Sequence, residues 1–277
     1  MNDIAFFPDC SRAVSVDVEC RLMIWDVDSG KRLHTYCKKE RLAGSIECVA
    51  VSHDGRYAIC GDADGALSLW DLRQGVRQAY RTEHENSIDA VDVCPFDQFA
   101  VSASYDGTLC IWDLHSTDVI KLEGHTDAVS AVQFLPNGRQ IVSASHDGTL
   151  RVWDIQTRQV VNELDGYNGL TLAVGENGRV LVSSFSENTI RAWDLETDQI
   201  RFEISGPLAR ADRVFASDRI AGSVDGPHIR IWDLKSGQFL AGFTGETPIR
   251  NCAIGPDNRT IATCDDASNV HFFKWVN

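Results

Sequence analysis

Two sets of histidine, serine and aspartate residues share one spacing in this chain, and such trios can carry out nucleophilic catalysis. They are His84, Ser102 and Asp106, followed by His125, Ser143 and Asp147. In both sets the aspartate follows the histidine by 22 residues and the serine by four. Each serine lies in a strand-like segment, and the chain has no G-x-S-x-G motif of the kind that presents a nucleophilic serine. The duplication therefore favours a structural role over a serine-hydrolase site.

The nine cysteines and eight histidines give no clear support for a metal site. The cysteines contain no C-x-x-C pair, and most stand beside aliphatic residues, as small apolar side chains do in a reducing compartment. The histidines are scattered without the H-E-x-x-H spacing of a zinc site. Asp62, Asp64 and Gly65 resemble the start of a calcium loop, but its closing glutamate does not follow, so a tight turn is favoured. We expect no metal and no cofactor.

The composition indicates a globular protein with an acidic surface. Of the 277 residues 43% are hydrophobic, which is too many for a disordered chain, and the formal net charge is −14. This charge repels nucleic acids and anionic membranes. No apolar run approaches the roughly 20 residues of a membrane-spanning helix, and the first residues lack the layout of a signal peptide. We expect a cytoplasmic protein, monomeric in isolation, that binds neither nucleic acid nor membrane.

Seven tryptophans divide the chain into repeats, and the residues of any functional site would be held in place by these repeats. They stand at positions 25, 70, 112, 153, 193, 232 and 275, at intervals of 39 to 45 residues. The first six are each followed by aspartate. Because the period extends over the whole chain, we predict a single domain, residues 1–277, built from seven repeats.

Each repeat contains short segments with the alternation of β-strands. In the fourth repeat these are AVSAVQF, QIVSAS and TLRVWDI, separated by turns rich in Pro, Asn, Asp and Gly. A weaker fourth segment follows each Trp-Asp pair. No stretch has the 3.6-residue period of an amphipathic helix. We therefore predict an all-β fold with four antiparallel strands in each repeat and negligible helix.

This pattern resembles the WD40 family of β-propellers. The resemblance covers essentially the whole chain and rests on the six Trp-Asp pairs, on Gly124-His125 and on the repeated Asp-Gly turns. It implies a seven-bladed WD40 propeller with four-stranded antiparallel blades. It also implies that the two trios form buried networks with Trp112 and Trp153, in which the serine accepts from the indole N–H and the histidine links the serine to the aspartate.

The other repeats depart from the network pattern. The first has Glu19 in place of the turn aspartate, the second has Cys60 in place of the serine, and the fifth retains Ser183 with Glu187 at the turn. We expect these units to be held mainly by apolar packing and to be less rigid than units three and four. In the seventh, the pattern favours Phe273 over Trp275 in the tryptophan position.

The ends of the repeat pattern raise the question of ring closure. In WD40 proteins an N-terminal segment usually supplies the outer strand of the last blade, and here only Met1 and Asn2 precede the first strand. Either the seventh blade has three strands, or this chain is a piece of a longer protein. Some sequence segments, such as FFPDCSRAVSV, are similar to the repeat domains that terminate large bacterial signalling ATPases. The P-loop motif of a nucleotide-binding domain does not occur in this sequence.

With no catalytic motif evident, the sequence favours a noncatalytic scaffold that binds a protein or peptide, either alone or as the sensor or partner-recruiting domain of a larger intracellular signalling protein. The alternative is a propeller enzyme whose site on the ring face lacks a recognisable motif. In the WD40 pattern two positions of each repeat face one rim of the ring. These positions predict a binding surface formed by Glu47, Asp89, Tyr105, Ser130, His146, Leu170 and Arg250. Carboxylates beside aromatic rings suit a basic segment of a partner.

Overall fold

The structure is a computed structural model that describes residues 1–37, 44–165, 171–186, 189–197, 199–205 and 211–274. Its strands form seven separate antiparallel sheets, which we call blades 1 to 7 in chain order. In the described residues the only helical element is a three-residue 3-10 turn, Glu176–Gly178. The prediction of an all-β seven-bladed propeller is therefore confirmed. No described helix is long and apolar enough to cross a membrane.

Blades 1 to 4 each contain four strands in simple chain order. Blade 1 contains β1 (Asp3–Phe6), β2 (Arg12–Val16), β3 (Arg21–Asp26) and β4 (Arg32–Cys37). Blade 2 contains β5 (Ile46–Val51), β6 (Tyr57–Asp62), β7 (Ala66–Asp71) and β8 (Val76–Thr82). Blade 3 contains β9 (Ile88–Val93), β10 (Phe99–Ser104), β11 (Leu109–Asp113) and β12 (Val119–Leu122). Blade 4 contains β13 (Val129–Phe134), β14 (Gln140–Ser145), β15 (Thr149–Asp154) and β16 (Gln159–Asp165).

Blades 5 and 6 have the same order, and blade 7 has three strands among the described residues. Blade 5 contains β17 (Leu172–Gly175), β18 (Val180–Ser186), β19 (Thr189–Asp194) and β20 (Gln199–Ser205). Blade 6 contains β21 (Arg213–Ala216), β22 (Ile220–Asp225), β23 (His228–Asp233) and β24 (Phe239–Thr244). Blade 7 contains β25 (Ile249–Ile254), β26 (Thr260–Asp265) and β27 (Val270–Lys274). Three strands in the last blade, one of the two alternatives that the sequence leaves open, are therefore what the described residues show.

The first strand of every blade lies at the centre of the ring. Each of these seven strands contacts the first strand of the next blade, and β25 contacts β1, so the ring is closed. The closing contacts include hydrogen bonds from Asn251 Nδ2 to Asp3 Oδ1 (2.6 Å) and from Lys274 Nζ to Asp28 Oδ1 (2.8 Å). Short Asp-Gly turns connect strands within blades. Gly65, for example, has φ +82°, and a Cβ there would lie 2.5 Å from the His84 carbonyl oxygen.

The register of blade 7 settles which aromatic residue takes the tryptophan position. Trp25 pairs with Ala13 and Trp153 with Ile141, in each case the second residue of the preceding strand. Phe273 pairs in the same way with Ile261. The prediction of Phe273 is therefore confirmed, and Trp275 lies outside the described residues.

The polar networks of blades 3 and 4 have the predicted form. In blade 3, Trp112 Nε1 donates to Ser102 Oγ (2.8 Å), which lies 2.7 Å from His84 Nε2, and His84 Nδ1 lies 2.9 Å from Asp106 Oδ2. In blade 4 the corresponding distances, for Trp153, Ser143, His125 and Asp147, are 2.9, 2.8 and 2.8 Å. Burial lowers the pKa of both histidines, so the neutral ring accepts from serine and donates to aspartate. The serines are fully buried, beyond the reach of a substrate.

A second turn-closing device occurs in blades that lack the histidine. Asp17, Asp62 and Asp265 are buried two residues after the position of the network serine, where blades 3 and 4 have Ser104 and Ser145. Their carboxylates accept backbone N–H groups of the following turn, at 2.7 to 3.1 Å. The sequence places Asp62 in a tight turn, but for the other blades it predicts a turn residue only at the position two residues later, which Glu19 occupies in blade 1. Glu187 lies outside the described residues.

Candidate functional site

An axial cavity of about 310 Å³ opens at the end of the ring where the first strands begin. The wall of this cavity is formed by one equivalent residue from the first strand of each blade. In every blade this residue comes directly before the one that pairs with the network serine, or with the residue that replaces the serine, on the second strand. These seven residues are Asp3, Cys48, Ala90, Ala131, Thr171, Arg213 and Asn251. Because the blades are repeats, one position in the repeat thus becomes a ring of seven side chains, of six types, around one cavity.

Five of the seven predicted binding residues line this cavity: Glu47, Asp89, Tyr105, Ser130 and His146. Arg250 is not among the lining residues, and its exposed guanidinium pairs with the Asp266 carboxylate. Leu170 lies outside the described residues. The predicted residues of the inner strands stand one position before the ring of seven, so they form the outer lip of the cavity and the ring forms its wall.

The sequence analysis missed the polar residues of the wall. Asp3, Arg213 and Asn251 all line the cavity, together with Asn2 at the lip. Arg213 stands just before the shortened first turn of the sixth repeat, where the repeat alignment was ambiguous. Asp3 lies at the very start of the first repeat, which carries no histidine to set the register. A shift of one residue from the predicted Arg250 would have found Asn251, but no position was predicted in the first strands of the first and sixth repeats, where Asp3 and Arg213 lie.

Asp3 is the most deeply held carboxylate of the site. Its Oδ2 accepts the Val49 N–H (2.7 Å), and its Oδ1 accepts the Ile4 N–H (2.7 Å) and Asn251 Nδ2 (2.6 Å). Burial nevertheless raises the pKa of Asp3 to about 7, since these bonds and the charge of Arg213 offset only part of the desolvation. The side chain therefore links blades 1, 2 and 7, and the site compensates the negative charge of its ionised form poorly.

Asp89 and Glu47 extend the acidic wall toward the lip. Burial raises the pKa of Asp89 to about 6, although Ser87 Oγ donates to its carboxylate (3.1 Å). Glu47 accepts hydrogen bonds from Asn2 Nδ2 (3.2 Å) and from the Ser45 hydroxyl. Since blades 1, 2 and 3 are neighbours in the ring, the three carboxylates lie on one side of the cavity.

The opposite side of the cavity carries a cation, and an aromatic pair stands at the lip. Arg213 of blade 6 donates from Nη1 to the Asp212 carbonyl oxygen (3.1 Å), and its charge offsets part of the rise that burial causes in the pKa of Asp3 and Asp89. The rings of Tyr105 and His146 lie 5.8 Å apart at 57°, and Tyr105 is 46% exposed. No three His, Cys, Asp or Glu side chains in the described part of the chain gather as a metal-binding group. The site thus offers charge and ring surfaces arranged around an opening.

The model of the family described as the IFT122 first β-propeller matches residues 1–274. The chain belongs to this family. The WD40 resemblance of the sequence is confirmed with it. Membership in the IFT122 first-propeller family establishes the fold and leaves the ligand of the axial cavity to be inferred from its own residues.

Two curated relatives match a shorter part of this IFT122-type propeller. They are the U3 small nucleolar RNA-interacting protein 2 of Homo sapiens, 26% identical over 89 residues, and that of Mus musculus, 25% identical over 89 residues. Each match covers 29% of this chain and only 19% of the relative. The chain therefore matches about a fifth of the length of these relatives.

Solved structures of other propellers superpose over nearly the whole chain. The structure of U3-55K has a TM-score of 0.88 at 19% identity, covering 99% of this chain and 94% of that one. A chain of the mitotic checkpoint complex has a TM-score of 0.86 at 16% identity, covering 99% of this chain and 86% of that one. At these identities the likeness shows the fold alone.

Proposed function

We propose that residues 1–277 form one noncatalytic WD40 domain that binds a protein partner, and that its axial cavity receives an arginine or lysine side chain from a basic segment of that partner. The observation that carries the proposal is the placement of Asp3, Glu47 and Asp89 along one side of the cavity. A guanidinium or ammonium group in reach of them forms charge-assisted hydrogen bonds, the stronger kind.

The raised pKa values of Asp3 and Asp89 support a cationic ligand. A buried carboxylate that lacks sufficient positive charge nearby gains more from an entering cation than one already paired. Arg213 supplies a single positive charge against three carboxylates, so the free cavity is short of cations. Tyr105 at the lip offers a ring face over which a guanidinium can stack.

The rest of the molecule supports a protein partner over other macromolecules. The net charge of −14 opposes binding to nucleic acid or to an anionic membrane, and it favours approach of a basic polypeptide. We propose a monomeric propeller. We place it in the cytoplasm because the eight cysteines whose side chains the structure describes are free thiols, as a reducing compartment maintains them.

Binding of a labelled pentapeptide, Gly-Arg-Gly-Lys-Gly, tests the charge of the site. Asp89→Lys and Tyr105→Ala should each weaken its binding by about 1–3 kcal/mol, in the range of interface hot spots, and should barely change thermal stability. Affinity should also fall as the pH is lowered from 8 to 5, because protonation of Asp3 (pKa about 7) and Asp89 (pKa about 6) removes the charge that attracts the ligand.

Asp118→Lys is the matched control, since it makes the same charge change at an exposed turn between β11 and β12. Weakening by Asp118→Lys equal to that by Asp89→Lys would attribute binding to the overall charge and contradict an axial site. Retention of full binding by both Asp89→Lys and Tyr105→Ala would place any site elsewhere.

A further inference from the structure

A second cavity, of about 340 Å³, lies between the outer strand of blade 6 and the strands of blade 7. All the segments that line it fall between residues 211 and 274, a part of the chain that the structure describes without a gap. It shares no lining residue with the axial cavity. The lining residues that matter here are Gly245 in the loop before β25, Thr263 and Asp265 of β26, and His271 and Phe273 of β27.

Thr263 occupies the network position of blade 7. It pairs with Cys252 in the register in which Ser143 pairs with Val132 in blade 4. Thr263 is 1% exposed, and its hydroxyl has no hydrogen-bond partner in the described part of the chain. Phe273, in the tryptophan position, has no N–H to donate to it. Because a buried hydroxyl without a partner is costly, a ligand that bonds to Thr263 recovers that cost.

In blades 3 and 4 the corresponding space holds an imidazole ring. His84 stands four residues before the start of β9, and His125 four residues before the start of β13. The residue four positions before the start of β25 is Gly245. Since glycine has no side chain, this loop brings no ring to Thr263. The cavity of blade 7 therefore lies where blades 3 and 4 have their network histidines.

Asp265 presents its carboxylate at the same place in the turn as the network aspartate of blade 4. Asp147 Oδ1 accepts the N–H of Thr149 (3.0 Å), and Asp265 Oδ1 accepts the N–H of Asn269 (2.7 Å). Thr149 and Asn269 are equivalent, because each stands six residues after the network position of its blade. Blade 7 thus has both groups that hold the histidine ring in blade 4, a buried hydroxyl and a carboxylate.

One of the hydrogen bonds of Asp265 is replaceable. Its Oδ2 accepts the Thr247 hydroxyl (2.6 Å) and Asn269 Nδ2 (3.1 Å), whereas His271 Nε2 lies 3.3 Å away. The side chain of His271 is 50% exposed. Burial acts to raise the pKa of Asp265, but the hydrogen bonds prevail and lower it to about 2, so the carboxylate is charged at neutral pH. A ring N–H that enters the cavity can therefore donate to Asp265 Oδ2 in place of His271.

The remaining walls suit a flat ring. Phe243 and Phe273 have ring centroids 4.4 Å apart, and the rings of His271 and Phe273 are stacked at 6.3 Å and 26°. Phe243 is exposed, so the cavity opens to solvent on the side of blade 6. Aromatic walls of this kind favour a planar aromatic ligand.

This chain has no further histidine that could supply the ring. All eight of its histidines lie among the described residues, and none of them bonds to the Thr263 hydroxyl. An imidazole ring at Thr263 therefore has to come from another molecule.

We propose that the cavity between blades 6 and 7 binds an imidazole ring from another molecule, whose bare nitrogen accepts the Thr263 O–H and whose N–H donates to Asp265 Oδ2. Blade 4 gives the pattern, since His125 Nε2 lies 2.8 Å from Ser143 Oγ and His125 Nδ1 lies 2.8 Å from Asp147 Oδ2. The ring belongs either to a small imidazole compound or to a histidine side chain of another polypeptide. This site is separate from the axial cavity, and it selects a neutral heterocycle where the axial cavity selects a cation.

Calorimetric titration with imidazole at pH 8, where the ring is neutral, is the first test. We expect saturable binding, together with a thermal unfolding temperature that rises with imidazole concentration. 1-Methylimidazole lacks the ring N–H and pyrrole lacks the bare nitrogen, so each should bind at least tenfold more weakly than imidazole. Equal binding of the three compounds, or no binding of imidazole, would overturn the proposal.

Thr263→Val removes the hydroxyl and keeps a branched side chain. Because this hydroxyl has no partner in the described part of the chain, the variant should be at least as stable as the wild type but bind imidazole at least tenfold more weakly. Ser223→Ala is the matched control, since it removes a buried hydroxyl without a described partner at the network position of blade 6. It should bind imidazole like the wild type. Equal weakening by the two variants would contradict a site in blade 7.

Gly245→His supplies the ring from the chain itself. A Cβ at Gly245 would lie 3.5 Å from its nearest neighbour, the Thr247 carbonyl oxygen, which is an ordinary contact. The variant should be more stable than the wild type and should lose imidazole binding, whereas Gly245→Ala should retain it. Equal imidazole binding by Gly245→His and Gly245→Ala would show that the ligand lies elsewhere.

Competition with the peptide Gly-Gly-His-Gly-Gly distinguishes the two sources of the ring, with Gly-Gly-Phe-Gly-Gly as control. Displacement of imidazole by the histidine peptide alone assigns the site to a histidine of a polypeptide. Imidazole binding that neither peptide displaces assigns it to small imidazole compounds. The Gly-Arg-Gly-Lys-Gly peptide should bind Thr263→Val and the wild type equally, so the tests of the axial cavity and of this cavity are independent. Displacement of imidazole by both pentapeptides alike would show that the cavity does not recognise the imidazole ring.

Discussion

Blades 3 and 4 differ from blades 5 and 6 in what they do with the same buried serine. Ser102 and Ser143 each accept an indole N–H and bond to a histidine. Ser183 and Ser223 are equally buried, but their hydroxyls have no hydrogen-bond partner in the described part of the chain. The indole N–H of Trp193 has no partner there either. The histidine from the preceding loop therefore converts a buried hydroxyl from an energetic cost into a link between strands.

Removing the serine from one blade of each kind should produce the largest contrast. Ser143→Ala leaves Trp153 Nε1 and His125 Nε2 unpaired inside the blade, so the free energy of unfolding should fall by about 2–3 kcal/mol. Ser183→Ala removes a hydroxyl that has no partner, so stability should stay within about 0.5 kcal/mol of the wild type or increase. Urea unfolding of both variants measures the two values.

Equal destabilisation by the two alanine variants would contradict the difference between blades 4 and 5, because it would show that the Ser183 hydroxyl is hydrogen-bonded in solution. Ser143→Cys is a useful further variant, since Cys60 occupies the same position in blade 2. There the Trp70 N–H turns to Ser68 Oγ instead, at 3.2 Å. Blade 4 has Arg151 at the position of Ser68, so Ser143→Cys should be almost as destabilising as Ser143→Ala.

Hydrogen exchange should rank the blades by their networks, with a smaller difference. Local opening in blades 5 and 6 breaks apolar contacts but no network, so amides of β18 and β22 should exchange about tenfold faster than those of β10 and β14, equivalent to about 1.4 kcal/mol. Amides of β27 should exchange fastest of these strands, because no strand of the described residues pairs with its outer edge. Uniform protection across the seven blades would contradict both statements.

The number of blades and the two polar networks could be predicted because both depend only on the types of residues and on their spacing along the chain. The tryptophan interval fixes the repeat, and the distance of 22 residues from His125 to Asp147 fixes the network. The turn aspartates Asp17 and Asp265 escaped prediction for a physical reason, whereas Asp62 was placed in a tight turn but not linked to them. An aspartate two residues after the network position caps the turn by itself, without the histidine that marks the position in sequence.

The candidate site was predictable to within one residue along the inner strands. Asp89 and Ser130 were found because the repeat pattern gives their distance from a histidine. Asp3 and Arg213 were not found. In blades 3 and 4, whose histidines set the register, the equivalent wall position holds the small apolar residues Ala90 and Ala131, so the sequence does not mark it as a binding position. Side chains converge on the axis only when the ring closes, so their proximity appears in no single repeat.

The smallest expected effect is the acid dependence of the networks. Burial acts to raise the pKa of Asp106 and Asp147, but hydrogen bonds from the Thr108 and Thr149 hydroxyls, from backbone N–H groups and from His84 and His125 prevail and lower it to about 2. The folded state thus favours the charged carboxylates. Their stabilisation is complete above the ordinary aspartate pKa of 3.8 and is lost as the pH falls toward 2.

The double variant Asp106→Asn, Asp147→Asn should therefore be less stable than the wild type at pH 7, and its stability should change less between pH 4 and 2. Asp118→Asn, at an exposed turn, should keep the wild-type slope. The axial carboxylates act at a different pH and with opposite sign: Asp3 has a folded pKa of about 7, so its protonation favours folding as the pH falls from about 8 toward 4. Urea titrations at several pH values separate the two contributions. A wild-type slope between pH 4 and 2 in the double variant would show that the networks of blades 3 and 4 stabilise the ring without their charge.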